Sequence, residues 1–277
     1  MQLIDGKSLA RSIREEIKKE IATLPRAPGL AVLLVGDDPA SHLYVNLKEQ
    51  AAQEAGIRTD IQRLPSTTSD KDLEQIIQKW NSDPAIHAIL IQLPLPSGHD
   101  TDKIIMAMDP SKDVDGFHPV TIKKLLKGEA TIISPVHEAV LRLIAATGID
   151  PRSKTATILA NSDIFSEPLA YLLQRAGFVT ARMDADILNG EVLRSSDVIV
   201  SALGRPGFIG PDLVKPGAVL IDVGTAKDTQ GRICGDVDAP AFSSIEGWLT
   251  PVPGGVGPMT VALLLKNTLS LHKKLRT

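Results

Sequence analysis

Tyr44 and Lys48 stand four residues apart in the run Ser41-His42-Leu43-Tyr44-Val45-Asn46-Leu47-Lys48. On a helix that spacing puts both on one face. A phenol beside an ammonium can lower the lysine pKa or orient it for proton transfer. A tyrosine packed on the aliphatic lysine stem has the same spacing and no chemistry. Gln92 follows the apolar run Ile89-Leu90-Ile91 and precedes Leu93-Pro94-Leu95-Pro96. That is the carboxyl end of a strand, where open α/β sheets bind ligands. Its amide can hold a substrate or fix the Lys48 ammonium; the alternative is a capped strand end. Asp113 and Asp115 lie two apart beside Gly116. One can accept hydrogen bonds from an amino-heterocycle, and a local Asx-turn is the alternative.

The stretch Pro253-Gly254-Gly255-Val256-Gly257-Pro258-Met259-Thr260 is the least ordinary. Three glycines before a helix let backbone N–H groups approach a ligand. Other chemistries lack their residues. The Asp113–Asp115 segment has no further acidic ligands at calcium-loop spacing. The six histidines are scattered, and His137-Glu138 lacks the second histidine of a zinc-protease helix. Neither a phosphate loop nor a nucleophile elbow occurs. No metal site is expected.

These residues need a frame, and β-branched runs alternating with amphipathic stretches predict a parallel α/β architecture. Leu9, Ile13, Ile17 and Ile21 recur at helical spacing, which predicts a helix over 7–22. Strand 31–35 is stopped by Gly36-Asp37-Asp38-Pro39, and helix 40–55 is ended by Gly56. Strand 57–63, helix 69–80 and strand 86–91 follow. After a helical stretch at 136–147 come strand 155–159, helix 166–176 and strands 178–182, 197–201 and 218–223. Residues 250–258 read as irregular, opening a final helix over 259–271. The expected architecture is two α/β lobes with a cleft between them, a usual place for a ligand.

The chain has 277 residues, room for two ordinary domains. With 30 Lys and Arg against 33 Asp and Glu the formal charge is −3, so no nucleic-acid partner is expected. The single cysteine, Cys234, excludes an intramolecular disulfide and fits a reducing compartment. No secretory leader is visible at Met1–Gly6, and no apolar run nears the roughly 18 residues of a membrane span. A cytoplasmic protein without a membrane partner is the expectation.

Seven ordered segments carry a resemblance: Asp5-Gly6-Lys7, Ser41 to Lys48, Gln92-Leu93-Pro94-Leu95-Pro96, Lys112-Asp113-Val114-Asp115-Gly116, Asp222-Val223-Gly224, Gly235-Asp236-Val237 and Pro251 to Thr260. Over nearly its whole length the chain resembles the bifunctional methylenetetrahydrofolate dehydrogenase/cyclohydrolase family. The resemblance implies a folate lobe over 1–135, with the last helix (258–277) packing back on it, and a Rossmann-like dinucleotide lobe over 136–257. It implies Lys48 as the catalytic lysine, Tyr44 stacking on or orienting the folate, and Gln92 positioning the lysine. Asp115 would hold the pterin edge, with Pro253, Gly254 and Gly255 lining the cleft. Ala160, Asn161, Ser162, Asp184 and Thr225 would meet a nicotinamide dinucleotide. The implied activity oxidises 5,10-methylenetetrahydrofolate to the methenyl form and hydrolyses that to 10-formyltetrahydrofolate. A homodimer is also implied.

The cofactor side departs from the family pattern. Where the family has Gly-Arg-Ser, this chain has Ala160-Asn161-Ser162; Val-Gly-x-Pro becomes Phe165-Ser166-Glu167-Pro168. His-Ser-x-Thr becomes Met183-Asp184-Ala185-Asp186, and Pro-Cys-Thr-Pro becomes Ile133-Ser134-Pro135-Val136-His137. Loss of the arginine removes the charge that pairs a 2′-phosphate. Asp184 repels that phosphate and suits a free ribose diol, which favours NAD over NADP. Ala160 and Ser166, at glycine positions, narrow the approach of a pyrophosphate, and Glu167 adds negative charge there. The alternatives are a cyclohydrolase alone, or a non-catalytic folate-binding paralogue, each with the dinucleotide site lost.

Overall fold

The computed structural model describes residues 1–275; residues 276 and 277, which the expected last helix includes, lie outside the described residues. In chain order the elements are β1 (Gln2–Leu3), α1 (Gly6–Ile21), β2 (Gly29–Val35), α2 (Pro39–Ala55), β3 (Arg58–Leu64), α3 (Asp70–Ser82) and β4 (Ala88–Ile91). Then come α4 (Thr101–Met106), α5 (Pro119–Leu126), α6 (Pro135–Ala145), β5 (Thr155–Ala160), α7 (Asp163–Ala176) and β6 (Val179–Met183). The chain continues through α8 (Gly190–Ser195), β7 (Val198–Ala202), β8 (Val219–Asp222), β9 (Ala226–Lys227), β10 (Ile233–Cys234), β11 (Trp248–Leu249) and α9 (Val256–Lys274).

The chain divides into two compact units, one of Arg11–Pro135 with the residues from Val261 onward, the other of Met1–Ala10 with Val136–Thr260. The first holds a three-stranded sheet in the order β3-β2-β4, parallel throughout. All seven residues of β2 are buried, as a strand covered on both faces requires. Leu30, Val32 and Leu34 pack on one side with Val45, Ala52, Leu264, Leu265 and Leu269. On the other side Ala31, Leu33 and Val35 meet Leu73, Ile77 and Trp80. Asn267 on α9 ties this unit further, donating to Val114 O (3.1 Å) and Ile133 O (2.9 Å).

The second unit holds a six-stranded sheet in the order β1-β11-β8-β7-β5-β6, with every pairing parallel. From β5 the chain goes outward to β6 and then crosses back to β7. Such a reversal is the switch point at which doubly wound sheets bind ligands.

Several expectations need correction. The first ten residues do not belong with 11–135: Gln2 and Leu3 pair with Trp248 and Leu249, and the amino terminus donates to Phe242 O at 2.7 Å. A two-residue edge strand leaves no periodicity to read. The last helix starts at Val256, so Gly257 and Pro258 are helical rather than irregular. Proline is tolerated there because the first helical turn needs no donor from it. Likewise α7 begins at Asp163, three residues before the expected start.

Candidate functional site

In the first unit, α2 carries Tyr44 and Lys48. Its start is fixed by Asp38, whose carboxylate accepts from Ser41 N at 2.8 Å, and its end by Gly56 in the left-handed conformation (φ 85°). Gln92 follows β4 directly, and its N–H continues the ladder to Leu33 O at 2.9 Å. The Gln92 amide is held at both ends. Its Nε2 donates to Leu93 O at 2.7 Å, so Oε1 is the end turned to Lys48 Nζ, which donates to it at 2.9 Å.

The two aspartates have separate tasks. Asp113, 1% exposed, accepts from Gly116 N (2.9 Å) and His118 N (3.0 Å), so it builds the turn. Gly116 has φ +76°, and a Cβ there would come within 3.1 Å of the Ser134 backbone. Asp115, left free by this turn, is half-buried and interacts electrostatically with Lys48. Loss of hydration pushes the Asp115 carboxyl up to about 6, with Asp113 adding to the rise and Lys48 opposing it. The same loss of hydration lowers the Lys48 ammonium, which Asp115 partly restores. Both residues keep some surface open, but their charged ends lie deep enough for desolvation to dominate. Tyr44, half-buried, sits one helical turn before Lys48.

Elsewhere in this unit a cavity of about 710 Å³ is lined by Arg58 and His87 near the strands' amino ends. None of these four residues lines it.

In the second unit, Ala160 ends β5, and with Asn161 and Ser162 beyond it forms the rim of a depression of about 380 Å³, which Asp163, Ser166, Arg182, Met183 and Asp184 also line. Ser162 is the N-cap of α7, yet its side chain makes no cap hydrogen bond. The first N–H groups of α7 are therefore not covered by that hydroxyl, as phosphate binding at a helix start requires. Asn161 Nδ2 turns to Leu203 O at 3.4 Å, and Asp184 Oδ1 accepts from Asp186 N at 3.0 Å. Ala160 and Ser166 are buried in the depression's lining. Thr225 is exposed just beyond β8.

The glycine loop has a structural explanation that its sequence did not reveal. A Cβ on Gly6 would lie 2.0 Å from Gly255 O, and one on Gly255 would lie 2.6 Å from the Thr250 side chain. Gly255 is thus required by packing; Gly254 takes φ +123° beside Lys7, and Pro253 is exposed. Two buried carboxylates lie in segments that carry the resemblance but to which the sequence assigned no role. Asp236 accepts from Ser201 Oγ (2.6 Å), Leu203 N (2.7 Å) and Arg205 N (2.8 Å). Asp222 accepts from Asp236 N (3.1 Å) and Val237 N (2.9 Å). Burial, with the Asp236 charge beside it, pushes Asp222 up to about 7 against the pull of these N–H groups. Gly224 and Gly235 leave the room: a Cβ on either would fall within 2.3 Å of a carboxylate. Among the described residues no group of three His, Cys, Asp or Glu side chains is placed to hold a metal ion.

The catalytic-domain family of tetrahydrofolate dehydrogenase/cyclohydrolase matches residues 4–115, and its NAD(P)-binding-domain counterpart matches 134–276. This chain belongs to that family. It is 44% identical over 269 residues to the bifunctional protein FolD of Acidiphilium cryptum, covering 97% of this chain and 96% of that one. The crystal structure of FolD, methylenetetrahydrofolate dehydrogenase/cyclohydrolase, from Campylobacter jejuni superposes with a TM-score of 0.94 at 38% identity, covering 99% of each chain. The Trypanosoma brucei FolD structure, complexed with NADP cofactor and inhibitor, gives 0.94 at 34% identity, covering 98% of this chain and 97% of that one. Family membership makes the second unit a nicotinamide-dinucleotide domain of Rossmann type. No helix among the described residues is long and apolar enough to cross a membrane.

Proposed function

We propose that this chain interconverts one-carbon folates: it oxidises 5,10-methylenetetrahydrofolate to the methenyl cation and hydrolyses that cation to 10-formyltetrahydrofolate. The observation that carries this reading is the Lys48–Gln92–Asp115 constellation. It is a lysine made easier to deprotonate, with one N–H fixed by an oriented amide and a carboxylate nearby.

In hydrolysis, water adds to the methenyl carbon and must lose a proton, and the departing ring nitrogen must gain one. Lys48 as the neutral amine takes the first proton and as the ammonium returns it. Gln92 Oε1 keeps the amine in place through both states. Asp115 receives the N–H edge of the pterin, and Tyr44 lies against the folate ring. Pro253, Gly254 and Gly255 are assigned to folate binding on the family motif alone. A bound nicotinamide supplies the hydride acceptor for oxidation, and the protein's part there is alignment.

The depression at the ends of β5 and β6 suits the adenosine and pyrophosphate of that cofactor. Ala160, Asn161 and Ser162 flank the start of α7, Asp184 is exposed for the ribose, and Thr225 lies beyond β8. With Asn161 in place of a cation and Asp163 and Asp184 both exposed, the unphosphorylated dinucleotide NAD is favoured over NADP. We further propose a cytoplasmic homodimer, in line with the single cysteine and the usual closed symmetry of enzymes.

The test is an assay of methylene-folate oxidation by the purified protein with NAD and with NADP, beside an assay of methenyl hydrolysis. Both activities, with NAD the better acceptor, are expected. Hydrolysis without oxidation by either nucleotide would leave a cyclohydrolase alone, and folate binding without turnover would leave a binding protein.

A further inference from the structure

The charges around the adenosine depression make a pattern that loss of an arginine at position 161 does not explain. Arg182 is the one cation among its lining residues, and Asp163 and Asp184 are the two anions. Arg182 and Asp184 are two residues apart at the end of β6, the interval at which a strand returns side chains to the same face. Arg182 does not stand free: its Nη1 donates to Asp163 Oδ1 at 3.2 Å. Asp163 is the first residue of α7, where the helix N-terminus favours a carboxylate. Both partners remain open to solvent, with side-chain exposures of 45% and 89%.

We propose that Asp163 and Arg182 set the choice of nucleotide: Asp163 engages the guanidinium that would otherwise receive a 2′-phosphate, so the site takes the unphosphorylated form. The proposal rests on the reading above that this depression holds the adenosine end of a nicotinamide dinucleotide. A 2′-phosphate entering here has to share the guanidinium with Asp163 while lying beside two carboxylates. A ribose diol carries no charge and meets no such cost. Asp163 is then a positioning residue that acts through Arg182. The nearby Arg205 offers no substitute, because it is held by Asp186 at 2.8 Å and does not line the depression.

The test uses the intact protein and two adenosine probes, 5′-ADP and 2′,5′-ADP, titrated by calorimetry. The wild type is expected to prefer 5′-ADP. Asp163→Asn is expected to shift the ratio of affinities toward 2′,5′-ADP by about tenfold, equivalent to about 1.4 kcal/mol. Asp163→Asn combined with Arg182→Gln is expected to lose that gain, because the gain belongs to the arginine. Retained 5′-ADP binding shows in each variant that the site is folded. An unchanged ratio in Asp163→Asn, or a gain that survives removal of Arg182, overturns the proposal and leaves the cofactor reading standing. If neither probe binds the wild type, the cofactor reading itself falls and the proposal with it.

Discussion

Lys48 Nζ donates to Gln92 Oε1 across 2.9 Å, and the other end of that amide is tied to Leu93 O at 2.7 Å. The second bond gives the first its meaning. An amide free to rotate presents either a donor or an acceptor to the lysine, whereas this one presents only its acceptor. Lysine, amide and strand end thus form one unit, set by α2 on one side and β4 on the other.

Replacing Lys48 with methionine is therefore expected to lower methenyl hydrolysis by roughly 100-fold or more. Folate binding stays measurable, since the pterin contacts lie elsewhere. The check is the decay of methenyl absorbance in parallel with a folate titration. Hydrolysis at the wild-type rate removes the proton-transfer role.

Asp115 changes charge near pH 6 rather than in the ordinary carboxylate range. Its carboxylate accepts from the pterin better than its acid does, so folate binding is expected to strengthen as pH rises through about 6. Asp115→Asn should bind folate more weakly and without that pH dependence. Removing the negative charge also takes away the influence that raises Lys48, so the alkaline-favoured limb of the hydrolysis profile should move to lower pH. A pH series of hydrolysis rates and folate affinities for both proteins reads these two effects together.

Asp222 gives a stability prediction of definite sign. Its carboxyl titrates at about 7 in the folded chain against an ordinary value of 3.8, so the folded state holds the proton more tightly. This contribution is full below about 4 and is lost as pH rises through about 7. Asp222→Asn is expected to melt with less dependence on pH across that window. At the acid end, where the wild-type carboxyl is itself protonated, the two proteins are expected to differ by no more than about 1 kcal/mol. Melting curves of the two proteins at matched pH decide it.

Gly255→Ala tests the packing explanation of the glycine loop. Its Cβ would lie 2.6 Å from the Thr250 side chain and 2.9 Å from Pro251 O. Crowding of this kind costs roughly 1–3 kcal/mol. Gly257→Ala, which meets nothing within 4 Å, is the control and is expected to leave stability nearly unchanged. Equal melting temperatures for the two variants would mean that the loop's glycines serve something other than packing.

Much of this molecule can be read from its sequence because the signals are local. The buried run of β2 and the Gly56 stop of α2 are set by residues next to one another. Tyr44, Lys48, Gln92 and Asp115 stand out because polar groups at strand ends and on one helix face suit few purposes. The structure adds what depends on distant partners. Gln2 and Leu3 become a strand only through Trp248 and Leu249. Gly6 must be glycine because the Gly255 carbonyl, far along the chain, packs where its Cβ would stand. Of Asp113 and Asp115, only the turn's hydrogen bonds show which is structural and which is free. Asn161 signals a missing charge, but Arg182, 21 positions along the chain, becomes visible as its neighbour only when β5 and β6 pair.

The most direct test of the account follows oxidation and hydrolysis in one sample. Purified protein is mixed with 5,10-methylenetetrahydrofolate and NAD, and reduced nucleotide, methenyl-folate and 10-formyl-folate are recorded together. Reduced nucleotide and 10-formyl-folate are expected to rise together in wild type, and methenyl-folate to accumulate in Lys48→Met. Absence of both products from wild type, in a sample that binds folate and nucleotide, would contradict this expectation.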